Sequence, residues 1–158
     1  MNQAHVHLLT NHFPIILPIV SLIIIITAFV FRSELMKRLA YALFTLGALF
    51  TFMAMQSGEG AEEIVEGISG ITHHVIHEHE EHAETFALLS YVLGLVSLIG
   101  LWASWKKQSW SNYAGYLSIV LAAVVISLAH KVGKSGGDIR HPEINQSSSL
   151  IDNEHHED

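Results

Sequence analysis

The chain has 158 residues, half of them apolar, with 15% charged and a net charge of −7. A soluble domain of this size usually carries more charge, and an acidic balance argues against nucleic acid, whose phosphates attract basic surfaces. With no cysteine, disulfides, thiolate zinc sites, cysteine-ligated iron–sulfur clusters and c-type haem attachment are excluded.

The start, Met1-Asn2-Gln3-Ala4-His5, has no basic n-region, so the first apolar run is expected to be a retained helix. Crossing the hydrocarbon takes about 20 mostly apolar residues. Four runs qualify: 13–31, which contains the block Leu22-Ile23-Ile24-Ile25-Ile26, then 39–55, 83–105 and 113–129. Backbone groups in lipid need internal partners, and runs of this length without two-residue alternation exclude a barrel. The expected fold is therefore all-α: an integral membrane four-helix bundle, antiparallel and up-down, over residues 1–132.

In the first run, Pro14 suits helix initiation, whereas Pro18 frees the carbonyl of Pro14 and predicts a bend or a wide first turn. The first inter-helix loop carries Arg32, Lys37 and Arg38, and the third carries Lys106 and Lys107. The second has neither Lys nor Arg. Short basic loops stay in the cytoplasm, so both termini are expected outside. Trp102, Trp105 and Trp110 flank the third loop at a level that suits indoles.

Residues 56–82 predict an external helical hairpin between the second and third spans, turning at Gly67 and Gly70. After Val132 the run Gly133-Lys134-Ser135-Gly136-Gly137 reads as a linker, and 133–158 as a flexible external tail.

In this topology all twelve histidines, and every acid except Glu34, lie on the outer side or at its boundary. His12 opens the first span, His82 opens the third and His130 closes the fourth, bringing three imidazoles to one level. Met53, Met55 and Gln56 of the second span reach the same level. An ionisable group at that depth usually faces the bundle interior or a cavity. Converging imidazoles suit an axial haem pair, so His12, His82 and His130 are the candidate ligands of a haem b.

A second constellation lies in the hairpin. His74, His77, Glu78, Glu81 and His82 follow helical three/four spacing, and Glu59, Glu62, Glu63 and Glu66 do the same on the opposing arm. Folding near Ile68 would bring Glu63 to His74, and Glu59 to His77 or Glu78. Glu59, Glu63, His74, His77, Glu78 and Glu81 are thus candidate ligands for a divalent ion such as zinc, iron or copper. The spacing matches no zincin motif, and no Glu-x-x-His pair of the di-iron kind occurs in the hairpin. Polar helix ends of this composition also serve simply to cap a hairpin in water.

The opening Leu8-Leu9-Thr10-Asn11-His12-Phe13-Pro14-Ile15 resembles the start of a family of four-helix bacterial membrane proteins that begin with a His-Phe-Pro-Ile motif on the first span. The resemblance extends over the four-helix region. Three further stretches look like features of a shorter, stand-alone branch: 58–63, 76–81 and 136–142. Domains of related type occur joined to cytochrome c modules, so the resemblance implies a redox setting in the bacterial inner membrane.

Three functions are expected from these readings. The first is a b-type redox protein passing single electrons to a periplasmic carrier or a larger respiratory complex. The second is a divalent-metal binding or sensing protein that uses the hairpin. The third is a non-catalytic subunit whose acidic face docks a basic partner. A homo-oligomer is compatible with each. No span carries a charge at mid-depth, as a transporter would need, and no nucleophile sits with a base and an orienting group.

Overall fold

The computed structural model describes residues 11–65 and 73–140, without the side chains of 58–65, 73–75 and 138–140. Among the described residues there are four α-helices and no strand. They are α1 (Phe13–Val30), α2 (Glu34–Val65), α3 (His73–Trp105) and α4 (Ser111–Arg140). Each contains a stretch long and apolar enough to cross a bilayer: Phe13–Val30, Glu34–Ser57, Ile76–Trp105 and Ser111–Gly137.

The bundle is apolar outside and small or hydroxylic inside. Ile23, Val30, Leu35, Leu88, Leu95 and Val120 are exposed, whereas Ser21, Thr51, Ser97, Ser104 and Ser118 are buried. A water-soluble bundle has the opposite distribution. Small residues let helix backbones approach closely where lipid gives no hydrophobic drive to pack. The closest such approach joins α3 to α2: a methyl group added at Gly94 would stand 2.5 Å from the Cβ of Ala48.

Buried and half-buried hydroxyls are satisfied mainly by their own helix. Ser21 donates to the carbonyl of Leu17 at 2.6 Å, Thr45 to Tyr41 at 2.9 Å and Thr51 to Gly47 at 3.0 Å. These four-back bonds satisfy the three hydroxyls within their own helices, whereas the buried Oγ of Ser90 has no partner among the described residues and Ser97 meets Ser118 across helices at 3.4 Å. Ile25, Tyr41, Phe44, Leu93 and Val125 fill the centre. Consecutive helices pack on one another, and α1 also packs on α4. α1 runs through Pro18 without a break, its ring buried beside Gly47 of α2.

Two connections are short and share one design. Arg32 and Lys107 both have positive φ, 51° and 53°. After α1, the N–H of Ser33 reaches the carbonyl of Ala28 at 2.9 Å, and that of Arg32 reaches Phe29 at 3.4 Å. After α3, Gln108 reaches Ala103 at 2.9 Å and Lys107 reaches Ser104 at 3.2 Å. This is the Schellman pattern, with a basic residue where glycine is usual. Ser33 then starts α2, its Oγ accepting from the N–H of Met36 at 3.3 Å.

At the ends away from the basic loops, α2 and α3 run on past their apolar stretches, and α4 corrects the sequence reading. α2 extends past 39–55 on both sides, and α3 starts at His73, ten residues before the apolar run. α4 continues through Gly133-Lys134-Ser135-Gly136-Gly137, where a linker was expected, and ends at Arg140. Glycine lowers helix propensity, but packing overrides it here. Ser135 is buried, and a methyl at Gly136 would stand 3.2 Å from the ring of His79. Small residues are what allow α4 to stay against α3 at this height. The expected hairpin turn at Gly67 and Gly70 lies outside the described residues.

Candidate functional site

At the end of the bundle away from the basic loops, α3 turns Ile76 inward, where it is buried, and α4 brings up Ser135. The Nδ1 of His79 lies 2.8 Å from the Oγ of Ser135. The remaining polar side chains of this turn of α3 stand outward. His77, Glu78, Glu80 and Glu81 are exposed. His77 has Glu80 on one side of its ring and Glu81 on the other, each at 3.7 Å. At that separation and exposure the pairs are weak, solvent-screened attractions.

Among the hairpin candidates, His77, Glu78 and Glu81 therefore share one exposed surface of α3. Glu59, Glu63 and His74 lie within helices, but their side chains are outside the described residues. Among the described residues no group of three or more His, Asp or Glu side chains is close enough to hold a metal ion.

Of the three proposed haem ligands, His12 caps the start of α1, while His82 and His130 lie within α3 and α4 rather than at their ends, and their rings do not converge. His12 and His130 are exposed on the outside of the bundle. His82 is partly exposed, and its Nδ1 lies 2.7 Å from the carbonyl of Glu78 in its own helix. Among the described residues no hydrogen bond or ion pair joins any two of the three. The interior near this end is occupied by Phe86, Ala87, Ser90 and Ala129, all buried. An axial pair inside a bundle needs two imidazoles aimed inward across a gap the width of a macrocycle. The residues present do not fit a haem held between these helices.

The opposite end holds a polar assembly that the sequence reading did not single out. Glu34, Lys37, Arg38 and Tyr41 of α2 sit at positions i, i+3, i+4 and i+7 and face the bundle as one stripe. Lys37 Nζ donates to Glu34 at 2.7 Å and to Asn112 of α4 at 2.6 Å. Arg38 donates to both the Oγ and the carbonyl of Ser104 of α3, at 3.0 and 2.9 Å. Ser104 Oγ donates onward to Glu34 at 3.0 Å. The hydroxyl of Tyr41, fully buried, donates to the carbonyl of Ser111 at 3.0 Å. One stripe on α2 thus ties together the end of α3 and the start of α4. The signal was present as helical spacing, but Lys37 and Arg38 were read only as loop charges setting direction.

No protein-family model, no curated protein and no solved structure matches the chain.

Proposed function

We propose that the chain is a four-span membrane protein acting as a non-catalytic subunit, which docks a partner with a basic surface through its outer acidic end. The spans alternate in direction, with the basic loops on the cytoplasmic side of the bacterial inner membrane and both termini outside. The two short Schellman connections support the alternation, because a helix so closed reverses into its neighbour. The loop charges support the orientation.

The observation that carries the reading is the brace between His79 and Ser135. It holds α3 against α4 beyond the apolar runs, so Glu78, Glu80 and Glu81 are displayed on a stiff, supported helix. A charged surface of fixed geometry contributes mainly to partner choice and encounter rate.

The test is native electrophoresis of solubilised membranes, followed by charge reversal. The wild-type chain is expected in a complex larger than itself, dissolved by high salt. Glu78→Lys with Glu81→Lys is expected to release it without lowering the melting temperature of the bundle. Unchanged migration of that variant would exclude docking through this face.

A further inference from the structure

The end that carries the basic loops has a half-open cavity of about 320 Å³, which the docking reading does not use. Phe29 and Arg32 line it from the end of α1, Ser33, Glu34 and Lys37 from the start of α2, and Asn112 from α4.

Lys37 is the centre of its chemistry. Its side chain is only 5% exposed, and burying an ammonium is costly unless its donors are met. Of its three N–H groups, Glu34 and Asn112 accept two. The ring of Phe29 lies 5.7 Å from Nζ and adds cation–π attraction. One donor remains for whatever enters the cavity. Cations outnumber carboxylates on its lining. Lys37 and Arg32 line it against the single carboxylate of Glu34, which is 59% exposed and already engaged. α2 and α4 both start at this wall, and the N-terminus of a long helix carries partial positive charge.

We propose that this cavity binds a phosphate group, supplied by the headgroup of an anionic lipid. Lys37 supplies the buried donor, Arg32 the rim cation, and the two helix starts the fixed dipoles. The chemistry would serve a free phosphate equally well. What favours lipid is the mouth: Phe31, Leu35 and Tyr116 beside it are exposed and apolar or aromatic, as a path for acyl chains requires. Trp102 and Trp110, 6.3 Å apart, sit on the same loop side, where indoles mark headgroup level. The lipid source rests on the membrane reading above, which extraction of native membranes with alkaline carbonate checks separately.

The experiment uses the full chain, delipidated in a neutral detergent, with binding read by native mass spectrometry. The probes are dioleoylphosphatidylglycerol, dioleoylphosphatidylcholine and sodium phosphate. Wild-type protein is expected to bind the phosphatidylglycerol about fivefold more tightly than the phosphatidylcholine, the contribution of about one basic contact. Arg32→Gln, which alters an exposed side chain and leaves the fold intact, is expected to abolish that preference. Lys106→Gln removes a basic-loop charge outside the cavity and is expected to retain it. Displacement of the lipid by millimolar phosphate would support the cavity and make the bare anion a sufficient ligand. No displacement, with the lipid preference intact, would assign the headgroup. Equal affinity for the two lipids in wild type, or equal loss in Lys106→Gln and Arg32→Gln, would overturn the proposal.

Discussion

His79 of α3 hydrogen-bonds Ser135 of α4 at 2.8 Å, fifty-six positions along the chain. Ser135 Oγ also lies 3.1 Å from the carbonyl of Lys131 and donates to it. A hydroxyl has one proton, so with that proton on its own helix the imidazole Nδ1–H is the donor. Ser135→Ala is expected to cost about 1 kcal/mol, and locally. Amide exchange over 131–137 should accelerate, while amides near Leu93 and Val125 keep their protection. Unchanged exchange in the first segment would mean that the end of α4 is held by other contacts.

Gly94 and Ala48 set the distance between α2 and α3. Gly94→Val places branched carbon where 2.5 Å separates a bare Cβ from that of Ala48. Neither atom can rotate away, so the helices must part. A loss of about 1–3 kcal/mol is expected from overpacking, read as a lower melting temperature in detergent. A melting temperature equal to wild type would show that the α2–α3 contact is loose.

Lys107 closes α3 with a φ of 53°. A side chain in the left-handed region costs roughly 1 kcal/mol relative to glycine. Lys107→Gly is therefore expected to raise stability by a few tenths to about 1 kcal/mol, visible as a small upward shift in melting. A downward shift would show that the lysine side chain makes a compensating contact.

Sidedness can be mapped cleanly because the chain has no cysteine. Gln108→Cys, in the basic connection, and Lys131→Cys, near the end of α4, are both at exposed positions. In intact spheroplasts a membrane-impermeant maleimide is expected to label Lys131→Cys and to reach Gln108→Cys only after lysis. The reverse pattern would invert the proposed orientation.

Of the helix ends near the basic loops, the ends of α1 and α3 and the start of α4 were legible in the sequence to within a residue or two, whereas α2 starts at Glu34, five residues before its apolar run. There the apolar runs stop at charged or tryptophan-rich breaks, as at Phe31 and Trp105. The far end of α4 was not. Polar residues from 133 onward looked like a linker because composition records solubility, whereas the helix persists through a tertiary contact, that of Ser135 and Gly136 with His79. His12, His82 and His130 were assigned to the right helices, but the direction in which a ring points depends on helix rotation. Apolar residues surround α1 on every side, so its pattern could not say that His12 stands outside the bundle. The polar stripe Glu34, Lys37, Arg38, Tyr41 was legible in principle from its spacing. It was obscured because charges beside an inter-helix loop also have a topological explanation.

The habit of Ser21, Thr45 and Thr51 of bonding back to their own helix bears on biogenesis. A span whose hydroxyls are already satisfied brings no unmet polar group into lipid when it leaves the insertion machinery alone. α1, whose Ser21 and Thr27 both bond back to their own helix, can thus enter singly and wait for its neighbours. The inter-helix ties of Lys37 to Asn112 and Arg38 to Ser104, gathered at one end, then form last, as a clasp on segments already in place.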